Sequence, residues 1–217
     1  MRNAAVATAA LIVLTGAAVP AQRAAWTFED TAASRPPQGF VFADGQAGTP
    51  AAWQVVRDGG NAVLAHAADP SRGVALAIAP GSPVDGGSVS ARLRFPDGPS
   101  VAGVMWRHRD PQNYYSVALD LRAQSVRIYR VVAGNRTRLE DEDDLELDPA
   151  AWHTVKVEDS GGRMRVWIDG VPVVDGRDRS TPEPGAIGVW TNGDATAWFD
   201  DLQAEPLSES FRTNRRR

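Results

Sequence analysis

The chain has 217 residues, 43% of them hydrophobic, with seven tryptophans and a formal net charge of −4. That suffices for one domain with a sizeable core, and the acidic balance gives no support for nucleic-acid binding, so no nucleic-acid partner is expected. There is no cysteine, so a disulfide framework and a lipid-modified N-terminal cysteine are both excluded and the fold must rest on its core.

Arg2 precedes an apolar run of small residues from Ala4 to Val19, and Val19-Pro20-Ala21 offers the small residues of a cleavage site. Residues 1–21 are therefore expected to be a signal peptide. The run is shorter than the ~20 apolar residues of a membrane span; an uncleaved anchor is the alternative. Cleavage would leave a periplasmic or extracellular protein with no membrane span.

Residues 22–205 read as one β-domain. Trp26 to Asp30 is a short first strand, and Gly39 to Phe42 a second, after a proline-containing loop. Trp53 to Val56 ends at the turn signal Asp58-Gly59-Gly60, and Asn61 to His66 alternates beyond it. Val74 to Ile78, Ser88 to Phe95 and Val101 to Arg107 follow, then Tyr114 to Leu119 and Ser125 to Val132. Asn135-Arg136-Thr137 fits both a glycosylation sequon and a polar hairpin turn, and Glu140 to Asp148 a solvated acidic loop. Thr154 to Glu158 and Met164 to Ile168 alternate, and Asp169-Gly170 makes a tight hairpin into Val171 to Val174. Gly185 to Leu202 reads as two strands about Asn192-Gly193-Asp194. It closes on Asp200-Asp201, acids that strands normally avoid. Residues 206–217 are expected to be a disordered basic tail. About a dozen short strands and no run of helical period predict an all-β antiparallel sandwich.

The series Asp110-Pro111-Gln112-Asn113-Tyr114-Tyr115, Val126 to Val131, Trp152-His153-Thr154-Val155-Lys156-Val157, Trp167-Ile168-Asp169-Gly170, Gly188-Val189-Trp190-Thr191 and Phe199-Asp200-Asp201-Leu202 resembles concanavalin A-like lectin/glucanase domains. More narrowly it is similar to the 3-keto-disaccharide hydrolase-like domain. The resemblance runs from about Trp26 to Glu205. It implies a jelly roll whose bent sheet holds glycans in relatives. It also implies a reaction on 3-keto-glycosides, in which removal of the proton beside the ketone lets the neighbouring glycosidic oxygen leave before water adds back. Fold alone does not establish catalysis.

Sugars pack flat C–H faces on aromatic rings and need polar partners at the rim. Trp106, Tyr115, Tyr129, Trp167 and Trp190 lie in predicted strands, and alternation makes Trp167 and Trp190 the best outward candidates; packing on a twisted sheet is the other use of each. Trp152 is expected in the core. Arg107-His108-Arg109-Asp110 with Asn113 forms a cluster at a strand end. There His108 is a candidate general base, and Arg107 or Arg109 a stabiliser of an enolate oxygen. A solvated loop of charge pairs would look the same. Glu142-Asp143-Asp144-Leu145-Glu146 resembles the acid strand of retaining glucanases, but Asp143 stands where an apolar residue belongs. Concanavalin A-like sandwiches often carry a structural calcium, for which Asp30 and Asp201 are the candidate ligands; capping of loop amides or arginine pairing is the alternative.

The expectation is an exported carbohydrate- or glycoside-binding module, accessory rather than catalytic. A 3-keto-glycoside lyase/hydratase or a structural cell-envelope domain are the alternatives.

Overall fold

The computed structural model describes residues 23–44, 52–71, 73–81, 86–178, 180 and 183–206. The expected signal peptide and all of the expected tail beyond Pro206 lie outside them.

The described residues form strands alone: β1 (Ala24–Trp26), β2 (Val41–Asp44), β3 (Trp53–Asp58), β4 (Asn61–His66), β5 (Val74–Ile78), β6 (Gly87–Arg94), β7 (Val101–Asp110), β8 (Asn113–Asp120), β9 (Ser125–Val132), β10 (Asn135–Glu142), β11 (His153–Ser160), β12 (Arg163–Ile168), β13 (Val171–Arg177), β14 (Ala186–Asn192) and β15 (Ala197–Glu205). An eight-stranded sheet runs β13-β12-β11-β6-β15-β4-β3, with β1 beside β15, and a seven-stranded sheet runs β10-β9-β8-β7-β14-β5-β2. The pairing is antiparallel throughout, for example β8 with β9 and β11 with β6. The molecule is an all-β jelly-roll sandwich of the concanavalin A-like kind.

Period-two alternation fills the space between the sheets. Val155 and Val157 of β11, Met164, Val166 and Ile168 of β12, and Phe199 and Leu202 of β15 pack toward Val104 of β7, Val117 and Leu119 of β8, and Ile128 of β9, all in one buried cluster. Each such side chain contributes roughly 1.5–3 kcal/mol on leaving water. A second, separate cluster holds Leu76, Ile78, Met105, Tyr114, Ala118, Val131 and Trp190. These residues alternate with the inter-sheet set, so they lie on the outer face of the seven-stranded sheet.

Two local devices have clear chemical causes. Asp169 and Gly170, between paired Ile168 and Val171, both take positive φ, 50° and 81°, the geometry of a type I′ hairpin turn. The acidic pair of β15 marks a change of neighbours. This strand pairs with β4 as far as Phe199↔Leu64, then with β1 from Leu202↔Trp26. Between them its register with β6 slips and Asp201 adopts a φ of 48°. In the fork, Asp200 accepts the Asn61 amide at 2.8 Å and the Asp201 backbone N–H at 2.7 Å. The acids close a bulge rather than interrupt a regular strand.

Four expectations change. The first strand is Ala24–Trp26, and residues 27–30 leave it for a turn. Trp152 is half-buried, and its Nε1 donates to Asp58 at 3.2 Å while Arg92 lies over its ring; the inward position goes to His153, next in sequence. Asn135-Arg136-Thr137 is strand, because the turn is made one step earlier at Ala133-Gly134. Glu140 to Glu142 continue that same strand, and only residues 143–148 are loop. No helix among the described residues is long and apolar enough to cross a membrane.

Candidate functional site

The site builds from β7 to β10, a meander whose consecutive hairpins place chemically distinct side chains side by side. Tyr114 on β8 and Val131 on β9 are paired, as are Arg136 on β10 and Val131, so these residues share the outer face. Trp190 reaches that face from β14, where its indole N–H donates 2.9 Å to the carbonyl of Val117. The neighbouring Gly103 lets the strands close on this bond, since a Cβ there would run into the same Val117 carbonyl oxygen. Trp190 is only 1% exposed and so forms a floor with Met105 and Leu76 rather than a surface a ligand touches.

Above the floor, the Arg136 guanidinium lies 3.5 Å from the centre of the Tyr129 ring and 5.0 Å from that of Trp190. Burial pulls the Arg136 pKa down, and the Tyr129 and Tyr114 hydroxyl groups oppose the shift; a guanidinium remains charged at neutral pH. Tyr114 is nearly buried, and burial pushes its phenol up while the nearby Arg136 charge pulls it down. His108 pairs with Ala186 across β14, and its ring lies 6.0 Å from that of Tyr114. Its Nε2 is shielded and has no hydrogen-bond partner. Burial lowers the His108 pKa, with the Asp110 charge raising it in part. Burial therefore favours the neutral imidazole at His108.

At the β7–β8 end this face runs into a cleft of about 340 Å3 lined by Arg109, Asn113, Tyr114, Arg130 and Glu183 among others, with Arg107 behind it. Asn113 is occupied by the turn: its amide donates to both Asp110 oxygens at 2.9 Å and its carbonyl accepts from Ala133 N–H at 3.1 Å. Arg130 is held by Asp178 at 2.9 Å.

The structure separates the residues singled out from the sequence. His108, Tyr129 and Trp190 come together on one face, with Arg109 at its end. Trp106 points between the sheets and donates to Asp159 at 3.0 Å. Tyr115 points the same way, its hydroxyl donating to Asp178 at 2.7 Å. Arg107 turns inward to Asp159 at 2.6 Å and is 3% exposed. All three side chains are interior because alternation and a bulge in β7 aim them there. Trp167 lies on the opposite, eight-stranded sheet between Lys156 and Arg165, at 5.3 and 6.0 Å, so it shares no groove with Trp190. Asp30 is exposed in the turn after β1, while Asp201 faces Arg92 at 3.6 Å. Among the described residues no group of three or more His, Asp or Glu side chains is placed to hold a metal ion. The other two histidines are structural: His66 meets the Ala195 carbonyl at 2.9 Å, and His153 contacts Asp169 and the Asp148 carbonyl, both at 2.7 Å.

Two residues of this face went unnoticed in the sequence. Arg136 sits in a strand with almost no apolar alternation, and Tyr114 stands beside the more conspicuous Tyr115. The only usable signal for Tyr114 was that alternation sends neighbours to opposite faces.

Residues 25–205 match the model of the 3-keto-alpha-glucoside-1,2-lyase-like domain. The chain belongs to that family. Comparison with curated protein sequences gives no match. Among solved structures, the carbohydrate binding module CBM66 from Bacillus subtilis is similar at 18% identity and TM-score 0.62, covering 76% of this chain and 95% of that one. The β-glucanase of Bacillus licheniformis is similar at 13% identity and TM-score 0.60, covering 87% and 100%. Domain 4 of AbnA, a GH43 extracellular arabinanase from Geobacillus stearothermophilus, solved with arabinotriose, is similar at 13% identity and TM-score 0.56, covering 88% and 96%. At these identities the likeness is one of fold, and the fold is one that carbohydrate-binding modules and glycosidases share.

Proposed function

We propose that the outer face of the seven-stranded sheet binds a carbohydrate or glycoside, and that the protein is an exported recognition module. The observation that carries this is Arg136 laid on Tyr129 at 3.5 Å, with Tyr114 and His108 alongside, above a buried apolar floor. A sugar needs a flat surface for its C–H face and planar donors for its hydroxyls. A guanidinium stacked on a ring keeps its N–H donors at the edge of the stack, and among the described residues no carboxylate pairs with Arg136. The ligands named for the similar binding module and arabinanase domain are of the same class. Calorimetric titration of the domain with a panel of oligosaccharides tests the reading. Arg136→Ala should weaken binding about tenfold, the loss of roughly one charge-assisted hydrogen bond. Absence of binding heat with every glycan would remove the proposal.

A second reading is turnover of a 3-keto-glycoside, favoured by the family match and by neutral His108 on this face. An imidazole nitrogen would take the proton beside the ketone, the electron pair left behind would form the C=C bond as the bond to the glycosidic oxygen breaks, and the imidazolium would give its proton to that departing oxygen. Water would then add across that bond. Proton NMR of a 3-keto-glycoside with wild type and His108→Ala tests it: an unchanged substrate spectrum with wild type rejects turnover.

Export is part of the proposal and rests on residues 1–21. Intact mass of the protein recovered from outside the cytoplasm should correspond to a chain beginning at Gln22; a mass retaining Met1 to Ala21 would argue for an anchor instead.

A further inference from the structure

One irregularity of β7 decides what the outer face presents. Ala102, Val104 and Trp106 point between the sheets, while Met105 packs in the outer cluster. Strict alternation would continue with Arg107 outward and His108 inward. Instead Arg107 takes a φ of 51°, in the left-handed region that a side-chain-bearing residue adopts only under constraint. The pairing of β7 with β14 passes from Gly188↔Met105 to Ala186↔His108, so β7 carries one extra residue. The bulge inverts the two side chains. His108 joins Tyr114 on the outer face, and Arg107 turns inward.

Both sides of the bulge are held. On the inner side Asp159, from β11 of the other sheet, accepts Arg107 Nε at 2.6 Å and Trp106 Nε1 at 3.0 Å on one oxygen, and Gly162 N–H at 3.0 Å on the other. Arg107 and Asp159 side chains are 2% and 4% exposed. At the edge the backbone of Gly185 runs so close that a Cβ there would sit 2.7 Å from both the Arg107 carbonyl oxygen and the His108 nitrogen. A buried ion pair adds little stability over an apolar pair of similar volume, so its presence at this point calls for another role.

We infer that the buried Arg107–Asp159 pair is a positioning device: it fixes the β7 bulge and thereby holds His108 on the ligand-facing side of the sheet. The inference rests on the carbohydrate reading of that face only for its consequence, since the position of His108 is measurable without any sugar. Neither residue of the pair touches ligand; both act through His108.

The test is the double variant Arg107→Met/Asp159→Leu, which removes both charges and leaves none buried alone. It should remain folded, with an unfolding midpoint lowered by the acceptor that Trp106 Nε1–H and Gly162 N–H lose, yet lose the device. The expected result in the free protein, by NMR, is loss of the His108–Tyr114 ring contact and a His108 titration that moves up toward its ordinary range. Glycan affinity should fall about tenfold. A folded double variant with wild-type His108 resonances overturns the inference. Should that variant not fold, Arg107→Gln/Asp159→Asn removes both charges while keeping polar groups for Trp106 and Gly162 to bond, and the same His108 spectrum decides. If His108 moves while wild type itself binds no glycan, positioning stands and the carbohydrate reading fails.

Discussion

Arg136 and His108 divide the work of the outer face by charge. Arg136 is a fixed cation whose plane lies on Tyr129, so Arg136→Lys, which keeps the charge but loses the planar fork, should recover only part of the affinity that Arg136→Ala removes; full recovery would mean that charge alone matters. His108 is neutral because burial holds its pKa below the usual 6.5. The folded protein therefore binds that proton less readily than the unfolded chain. His108 contributes its full stability above about pH 6.5, and that contribution is lost as pH falls from there through the folded-state pKa. The expected outcome is that the urea midpoint drops more between pH 7 and pH 5 for wild type than for His108→Gln. Equal drops would contradict the shielded position of the ring.

Strand irregularities, more than strands, set the site. The β15 bulge illustrates the energetics. Asp200→Ala removes the acceptor of the Asn61 amide and the Asp201 N–H and should cost roughly 1–3 kcal/mol, read from chemical unfolding. Burial also raises the Asp200 pKa, with the Asn61 amide, the Asp201 N–H and the Arg92 charge opposing the shift. At the β12–β13 hairpin, Gly170→Ala should cost about 1 kcal/mol because φ is 81°. These elements also show what was legible in the sequence. Clean apolar alternation marked Met164 to Ile168, and Asp169-Gly170 marked its turn. The strand β10 was hidden because its exposure follows no apolar period: it is an edge strand whose charged side chains guard it from further pairing. The inward turn of Arg107 was hidden because a one-residue bulge reverses alternation, and a single strand's pattern carries no trace of the partner that slips. Trp167 and Trp190 were both read as outward, but alternation within a strand does not say which sheet the strand joins.

At the scale of the molecule, two sheets with one shared core leave two outer faces of different character. The outer face of the eight-stranded sheet is a ladder of cations on rings and carboxylates: Arg92 lies over Trp152 and Arg94 over Trp198, while one Arg94 terminal nitrogen meets Asp58 at 3.4 Å and its Nε makes no hydrogen bond. The outer face of the seven-stranded sheet has an apolar floor, a cation without a carboxylate partner among the described residues, and a histidine nitrogen with no hydrogen bond. A domain keeps such a face only where something binds it or covers it. The most direct measurement is therefore a map of where a glycan lands, by following backbone amide resonances of the protein during titration with the oligosaccharide that gives the largest calorimetric heat. The account expects saturable shifts at His108, Tyr114, Tyr129 and Arg136, with Trp167 and Trp198 unmoved. Shifts centred on the eight-stranded sheet, or none with any glycan, would contradict it.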